Sequence, residues 1–216
     1  MRVRYDSWIQ KVCPSPKRYL AELAVRFGLR SGLDIGCGEN SPLTPLRSRG
    51  FFSIGLDASP ERIRSARNKG LHDDYICADI CSFSLDSLGA RPDVVVLSHL
   101  IEHLGREAGF ELLRRVEQIA GRLVYVETPF GFVEPAYCTG DDFEWHRSGW
   151  FPWDFEARGY TVFGSGLRGL WASKLPEGLI RGTDRLCQRV VFRRPRWANA
   201  IAAIRYSSDD GRIRRV

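Results

Sequence analysis

No run of about 18 apolar residues, the length that a helix needs to span a membrane, occurs in the sequence. The first residues, MRVRYDSWIQKVCPSP, lack the apolar segment and the small-residue cleavage site of a secretory signal. Internal repeats and low-complexity tracts are also missing. Because 216 residues suit a single α/β core, we expect one cytoplasmic domain over residues 1–216.

The cysteines lack the spacing that is typical of a zinc site. No Cys-x-x-Cys pair occurs, and Cys77 and Cys81 stand alone at their spacing. In a reducing compartment such residues are buried thiols rather than disulfides or metal ligands. The sequence therefore predicts no metal ion. The six cysteines are Cys13, Cys37, Cys77, Cys81, Cys138 and Cys187.

The charge is distributed unevenly. The chain carries a net charge of +6, but from Arg168 to the end 12 Lys and Arg face 4 Asp and Glu, a net charge of +8. This basic insertion, about 168–196, contains a helical pattern over about 175–192. One stripe of that helix would be apolar and another would carry arginines: Leu175, Leu179, Leu186 and Val190, then Arg181, Arg185 and Arg189.

Several interpretations of this basic helix stay open. It could pack on the sheet with a solvated arginine face, or it could make peripheral contact with an anionic membrane surface. A contact with a second copy of the chain or with nucleic acid is a further alternative. The protein would be a monomer or a homodimer.

Short apolar runs alternate with helical patterns, which predicts βαβ units and a mainly parallel sheet. Strands are predicted over 33–35, 53–57, 75–78, 93–97, 122–127, 161–165 and 200–206. Helices are predicted over 16–29, 61–70, 106–120, 148–159 and 176–192, with Ser59 as an N-cap and Pro60 at the first helical position.

Glycines or acids follow the first three strands directly. In DIGCGEN, Gly36 and Gly38 let the backbone approach a ligand, because no Cβ is in the way, and their N–H groups can point at it. Asp57 ends the second strand, where a carboxylate can accept hydrogen bonds from both hydroxyls of a ribose. Asp79 ends the third strand and could accept from an adenine amino group. We expect a nucleoside site at this edge of the sheet.

The ordered series LDIGCG, GLDAS, CADI and DVVVLSHLIEHL resembles the motifs of class I S-adenosylmethionine-dependent methyltransferases. The resemblance covers about residues 32–130. It implies an α/β fold with a Rossmann-like doubly wound sheet of seven strands, mostly parallel with an antiparallel last strand, and helices on both faces. It also implies a helical lead-in over 1–30, a cofactor-binding core over 31–130 and an acceptor-side region over 131–216.

The resemblance further implies S-adenosyl-L-methionine as the cofactor and S-adenosyl-L-homocysteine as the product. In the family, the glycine loop holds the methionine part, the acid after the second strand holds the ribose, and residues after the third strand hold the adenine. Residues after the fourth strand face the acceptor. The implied cofactor-binding residues are Asp34, Gly36, Cys37, Gly38, Asn40, Asp57, Ala58, Asp79, Ile80, Ser98 and His99. Asn40 departs from the family, since many members have a third glycine there.

Other functions fit the motifs less well. A nicotinamide dehydrogenase would need G-x-G-x-x-G, but Ser41 occupies the third glycine position. The segment HLIEH, His99 to His103, matches the zinc pattern of inverzincin metalloproteases, yet it follows a buried strand at once and Gly105 comes close behind. A non-catalytic S-adenosylmethionine-binding module that works through its basic face is the main alternative.

The acceptor class is narrowed by motifs that are missing. SHLI stands where methyltransferases of exocyclic amines carry NPPY or DPPY, and no Pro-Cys nucleophile occurs, so DNA and RNA are disfavoured. A small-molecule, sugar or lipid-like acceptor is expected. A general base helps if the acceptor keeps its proton, as a hydroxyl does. His99 and His146 are the favoured catalytic residues, with Glu127 and Asp142 as further candidates.

Overall fold

A seven-stranded sheet forms the centre of the protein in a computed structural model that describes residues 14–134, 145–170 and 173–207. The strand order is β3-β2-β1-β4-β5-β7-β6. Only β7 runs antiparallel to its neighbours β5 and β6, while the β1–β5 pairs are parallel. The predicted fold class is confirmed. The strands are β1 (Ser31–Ile35), β2 (Phe52–Asp57), β3 (Asp74–Cys77), β4 (Val94–Ser98), β5 (Leu123–Pro129), β6 (Thr161–Leu167) and β7 (Ala198–Tyr206).

The described α-helices are α1 (Pro16–Arg26), α2 (Pro60–Asn68), α3 (Arg106–Ile119), α4 (Pro152–Glu156) and α5 (Glu177–Arg193). Short 3₁₀ turns cover Thr44–Arg49, Leu85–Leu88, Ile101–His103 and Pro195–Trp197. Ser59 caps α2 as predicted, because its side chain accepts a hydrogen bond from the Arg62 N–H and Pro60 begins the helix. No helix among these residues is both long and apolar enough to cross a membrane.

The prediction of one helix over 148–159 was wrong, because α4 covers only five residues. Trp150 forms β-bridges with Phe130 and Gly131, which holds the preceding segment extended. Phe151 is also extended, with φ −128° and ψ 158°, as expected for a residue that precedes proline. The helix therefore cannot begin before Pro152.

Two apolar layers cover the two faces of the sheet. Alternate residues of the central strand β4 point in opposite directions, so that Val95 and Leu97 pack against α3 while Val94 and Val96 pack against α1. All four are fully buried. Burial on both faces explains why this strand is apolar without alternation. The layers hold the carboxyl ends of the parallel strands at one edge.

Helix α5 covers the free edge of the outermost strand, β6. The Asp184 carboxylate accepts a hydrogen bond from the Leu167 N–H at 2.8 Å. The Gln188 amide accepts from the Gly166 N–H at 3.0 Å and donates to the Gly164 carbonyl at 3.2 Å. A Cβ at Gly164 would lie 2.3 Å from the Val191 carbonyl oxygen, so only glycine permits this approach.

The predicted leucine stripe of α5 therefore faces solvent rather than the sheet. Leu186 is 83% exposed and Leu179 is 55% exposed, whereas Ile180 and Val191 are buried. The helix packs through Ile180, Asp184, Gln188 and Val191, which share one face at helical spacing. The polar side chains Asp184 and Gln188 were not expected on the packed face. They hydrogen-bond to the backbone of β6, and the sequence does not show that β6 is an edge strand.

Candidate cofactor and acceptor site

A glycine turn follows β1. Gly36 has a φ of +68° and its N–H donates to the Leu56 carbonyl at 2.7 Å. A Cβ at Gly36 would lie 2.8 Å from Leu100 Cδ1, so the turn depends on glycine both for its left-handed backbone and for space. Gly38 also has a positive φ, of +49°. This turn brings backbone close to the ends of β2 and β4.

Asp57, at the end of β2, is fixed by two backbone donors. Its Oδ2 accepts from the Gly38 N–H at 3.0 Å and its Oδ1 accepts from the Ser59 N–H at 2.9 Å. The residue is only 6% exposed. Because each carboxylate oxygen can accept more than one hydrogen bond, both keep lone pairs for two hydroxyls of a ribose.

A cavity of about 310 Å³ lies at the carboxyl ends of the parallel strands. Six predicted cofactor-binding residues line it: Gly36, Asp57, Ala58, Asp79, Ile80 and His99. The sequence analysis missed the other lining residues, which are Leu56, Arg62, Ala78, Cys81, Leu100, His103, Leu104 and Arg147. The volume lies within the usual range for small-molecule sites. Together with the Gly36 turn and the oriented Asp57 carboxylate, it fits a nucleoside.

The remaining predicted cofactor-binding residues lie near this cavity but do not line it. Asp34 is fully buried beneath the turn, and Cys37 packs with Ile63, Ala66 and Leu71 on the other side of the loop. Gly38 contributes through its bond to Asp57. Asn40 is exposed, and the Ser98 hydroxyl donates to Glu127 Oε2 at 3.3 Å. Their roles toward a cofactor stay predictions.

His99 joins this cavity to a larger one. It has a φ of +53°, a value that no other non-glycine residue in the described ranges adopts, and its N–H donates to the Glu127 carbonyl at 2.8 Å. Its Nδ1 lies 3.2 Å from Glu102 Oε1. The hydrogen bond to Glu102 raises the pKa of His99, although burial opposes the shift.

The second cavity has a volume of about 760 Å³, and its lining has three arginines and two acids. Its walls come from the start of α1, the later parts of β5 and β6, the start of β7, and α5. His99 lines both cavities, whereas Glu127 lines only the larger one. The lining residues are Pro14, Ser15, Arg18, His99, Glu127, Ser165, Gly166, Arg181, Gly182, Asp184, Arg185, Gln188, Asn199 and Ala200.

The HLIEH segment does not form the α-helix that an inverzincin zinc site requires. His99 is left-handed, Ile101–His103 forms a single 3₁₀ turn, and α3 begins only at Arg106. The Glu102 carbonyl accepts from the Arg147 N–H at 2.7 Å, which brings the chain around residue 146 against this turn. As a result His146, predicted as catalytic, lies beside His103 and outside both cavities.

A buried carboxyl group lies beneath the glycine turn. Burial raises the pKa of Asp34 to about 7, the charge of Asp57 adds to the shift, and Ser41 and Lys17 partly oppose it. Ser41 is close enough to the Asp34 carboxyl group to lower its pKa, yet neither oxygen of that group receives a hydrogen bond of normal geometry. The nearest cationic candidate is His72, with its Nε2 at 3.6 Å, but burial lowers the pKa of that imidazole to about 4.

Replacing Asp34 by Asn is expected to change how stability depends on pH. In the unfolded chain the Asp34 pKa falls to about 3.9, so between about pH 4 and 7 only the folded state keeps the proton. The stability contributed by this carboxyl is complete below about pH 4 and declines by up to about 1.4 kcal/mol per pH unit as the pH rises toward 7. Asp34→Asn removes this decline.

Urea unfolding of the cofactor-free protein at pH 5, 6, 7 and 8 tests this. The variant should gain stability relative to the wild type up to about pH 7 and then keep a constant difference. The wild type alone is not sufficient, because the lowered pKa of His72 makes its contribution to stability rise between about pH 4 and 6.5. This rise masks the decline in stability that Asp34 causes, so the variant and the wild type have to be compared. A difference that is the same at every pH would contradict the argument.

Three features are typical of the class I methyltransferase architecture. They are the strand order of the sheet, the glycine turn after β1 and the acidic residue at the end of β2. Solved structures support this class. A SAM-dependent methyltransferase from Archaeoglobus fulgidus superimposes with a TM-score of 0.55 at 24% identity, covering 94% of this chain and 99% of that one. The plantazolicin methyltransferase BpumL in complex with SAH gives 0.57 at 18% identity, covering 94% and 87%. These likenesses establish the fold.

Sequence comparison places a methyltransferase domain in the core of the chain. The family described as "Methyltransferase domain" matches residues 33–125. A ubiquinone biosynthesis O-methyltransferase from Rickettsia akari (strain Hartford) is 26% identical over 154 residues, 69% of this chain and 57% of the relative. Its counterpart from Rickettsia conorii (strain ATCC VR-613 / Malish 7) is 28% identical over 124 residues, 56% and 42% respectively. The chain spans about half the length of these curated relatives.

The predicted resemblance is therefore confirmed: residues 33–125 match the methyltransferase-domain family, and the chain shares the fold of a SAM-dependent methyltransferase. S-adenosylmethionine is the cofactor of this class, as predicted. Magnesium protoporphyrin IX methyltransferase from Synechocystis PCC 6803, which shares the fold at a TM-score of 0.54, was solved with bound SAM.

Proposed function

We propose that the whole protein transfers the methyl group of S-adenosylmethionine to a small-molecule, sugar or lipid-like acceptor. The observation that carries the proposal is that two cavities of different character meet at His99. One cavity has the glycine turn and the carboxylate that suit a nucleoside, and the other is larger and basic. An acceptor in the second cavity would lie beside His99, which also lines the first cavity.

The walls of the two cavities support the proposed division of the chain. Apart from Arg147, the residues that line the smaller cavity lie between Gly36 and Leu104, which supports a cofactor-binding core over 31–130. Most walls of the larger cavity come from 131–216, which supports an acceptor-side region there. The lead-in over 1–30 also contributes to the larger cavity, since Ser15 and Arg18, at the start of α1, line it.

In this proposal the protein acts mainly by positioning. S-adenosylmethionine supplies a methyl carbon that is already activated by the sulfonium. Asp57 would hold the ribose, Asp79 and Ile80 would contact the adenine, and the Gly36 turn would lie against the methionine part. The protein then has to hold the acceptor atom in line and exclude water.

Of the two predicted catalytic residues, His99 has the stronger support. It lines both cavities, and Glu102 orients its ring through the Nδ1 atom at 3.2 Å, which leaves Nε2 to accept a proton from an acceptor hydroxyl. His146 reaches neither cavity, so a role as the base would need a rearrangement. Glu127 lines the larger cavity, which is called the acceptor cavity from here on. Asp142 lies outside the described residues.

The charge of the acceptor cavity narrows the substrate class. Three arginines, Arg18, Arg181 and Arg185, line it against two acids, Glu127 and Asp184. The excess of positive charge favours an acceptor with a phosphate or carboxylate group. The named relatives are O-methyltransferases of ubiquinone biosynthesis, which supports a hydroxyl as the accepting group. We propose O-methylation on this basis, with no role for DNA or RNA.

A radiolabel assay tests the function. Purified protein is incubated with S-adenosylmethionine that carries tritium in the methyl group, and hydroxyl-bearing lipids, sugars and phenols are screened for label and for release of S-adenosylhomocysteine. His99→Gln is expected to lower turnover about 100-fold while changing cofactor affinity less than about tenfold. Cofactor binding with no turnover on any acceptor would favour the alternative of a non-catalytic binding module.

The exposed stripe of α5 supports peripheral membrane contact. Leu179 and Leu186 face solvent, arginines flank them, and the opposite face of the same helix lines the acceptor cavity. A helix of this kind can insert its apolar side into the headgroup region of anionic lipid.

The double variant Leu179→Ser/Leu186→Ser is expected to reduce binding to phosphatidylglycerol vesicles at least about tenfold, because two apolar side chains no longer leave water. Co-sedimentation at low salt measures the bound fraction. Val25→Ser, which alters an exposed apolar residue on α1, serves as the matched control and should bind like the wild type. Wild-type protein that stays in the supernatant at low salt would rule out membrane contact.

A further inference from the structure

Two histidines and a glutamate meet beside the cofactor cavity. One potential ligand atom from each of Glu102, His103 and His146 lies within 4.8 Å of the other two. The two imidazole rings are edge to face with their centroids 4.9 Å apart. Glu102 and His103 come from the 3₁₀ turn after β4, whereas His146 arrives through the backbone bonds between that turn and residues 147 and 148.

The hydrogen bonds of the two rings leave the other nitrogen of each free for a ligand. His103 Nδ1 lies 3.3 Å from the Trp145 carbonyl oxygen, and His146 Nδ1 bonds to the Val133 carbonyl. Since a carbonyl oxygen only accepts, both Nδ1 atoms carry the proton. Each Nε2 then has a lone pair. Metal-ligating histidines are oriented in this way, with the second nitrogen donating to a backbone carbonyl.

The third member supplies negative charge in a buried place. Glu102 is 2% exposed. Its Oε2 accepts from the Thr128 hydroxyl at 3.0 Å and its Oε1 lies 3.2 Å from His99 Nδ1. Two oriented outer partners of this kind fix a carboxylate in the manner of an outer coordination shell. A buried carboxylate beside two imidazole lone pairs is an environment that favours a cation.

We propose that Glu102, His103 and His146 bind one divalent transition metal ion, such as Zn²⁺, Mn²⁺ or Fe²⁺. Two imidazoles and one carboxylate form the ligand set of zinc sites with an open position and of iron sites with three facial protein ligands. Ligands at about 2.0–2.2 Å from zinc lie roughly 3.4 Å apart in a tetrahedron, so the three side chains would rotate inward on binding. Because His103 also lines the cofactor cavity, the ion would sit at the wall of that cavity.

This site differs from both expectations from the sequence. No metal was expected, and the rejected zinc pattern paired His103 with His99. In the structure His99 is a hydrogen-bond partner of Glu102 and is not among the three potential ligands. The second histidine beside His103 is instead His146, which lies 43 positions further along the chain. The proposal concerns metal binding and does not depend on the proposed methyl transfer.

Titration of tag-free protein with Co²⁺ tests the proposal, because three-ligand nitrogen and oxygen coordination gives a visible absorption band. We expect one equivalent to bind and to be displaced by Zn²⁺, with the same stoichiometry by calorimetry. His103→Gln and His146→Gln should each weaken Zn²⁺ binding more than about 100-fold, beyond the 10- to 100-fold loss that is typical of outer-shell changes. Cys77→Ser should bind like the wild type. It removes a thiol that was expected to be buried but is exposed in the structure.

Three results would overturn the proposal: no saturable binding of Co²⁺, Zn²⁺ or Mn²⁺, equal affinity in the wild type and in both histidine variants, or loss of binding in His99→Gln but not in His146→Gln. The last would restore the HLIEH pairing. Circular dichroism of each variant checks that it is folded. Because His146 is only partly buried, His146→Gln is expected to fold and to test the proposal without a change at the buried Glu102.

Discussion

The variant Asp57→Ala is expected to bind S-adenosylmethionine and S-adenosylhomocysteine about 100-fold more weakly than the wild type. The carboxylate is held by the N–H groups of Gly38 and Ser59, and its remaining lone pairs face the cavity. Two hydrogen bonds to a charged acceptor, each contributing at least about 1.5 kcal/mol, would be lost, and about 3 kcal/mol corresponds to roughly 100-fold in affinity.

Calorimetric titration with S-adenosylhomocysteine measures this loss without turnover. Asp57→Asn is informative as a second variant, since it keeps the shape but loses the charge and should fall between the wild type and Asp57→Ala. Asp74→Asn is the matched control, because Asp74 is an exposed acid at the start of β3, at the opposite end of the strand from the site. If Asp57→Ala retains wild-type affinity, the nucleoside site is elsewhere.

Replacing Trp150 by Ala should lower the free energy of unfolding by about 3–5 kcal/mol, as is usual for truncation of a buried aromatic side chain. Trp150 is fully buried and packs against Phe110 and Phe155 with ring centroids at 5.0 and 5.6 Å. A Cβ at Gly109 would lie 2.5 Å from the indole ring, so α3 is closely fitted to it. The lost stability would come both from the empty space left by the indole ring and from the loss of its two hydrogen bonds.

These hydrogen bonds link the indole to the turn that carries the site. Trp150 Nε1 donates to the Ser148 hydroxyl at 2.8 Å and to the Ile101 carbonyl at 3.2 Å. Trp150→Phe keeps most of the ring volume but removes the donor, so it should lose less stability than Trp150→Ala. Denaturant unfolding of the three proteins provides the comparison. Equal stability of wild type and Trp150→Ala would show that the packing around this residue is not as described.

The parts of the fold that were predicted correctly are those with a local signal. The apolar run of β4 and the Ser59-Pro60 start of α2 are written in consecutive residues. The positions that line the smaller cavity also have a local signal, because Asp57 ends its strand and Gly36 and Asp79 come within two residues of theirs. Parallel strands then bring these positions to one edge without further information.

The parts that could not be predicted depend on contacts between distant segments. Nothing near Trp150 signals that it bridges Phe130 and Gly131, and this bridge shortens α4. The left-handed backbone of His99 is set by its bond to the Glu127 carbonyl, since a histidine has no local preference strong enough to predict it. The pairing of His103 with His146 arises only when residue 147 bonds to the Glu102 carbonyl. Arg62 and Arg147 likewise reach the cavity through tertiary structure alone.

Helix α5 links two properties of the molecule that would otherwise be independent. Asp184 and Gln188 bond the outer edge of β6 and also form one wall of the acceptor cavity. Any outward movement of the helix that widens the cavity would expose unpaired backbone groups, which are a template for association with strands of other molecules. If the larger cavity takes the acceptor, as proposed, the acceptor would have to pass the side chains of this wall while the helix backbone stays in place. Substitutions that loosen α5 to admit larger molecules then carry a risk of aggregation.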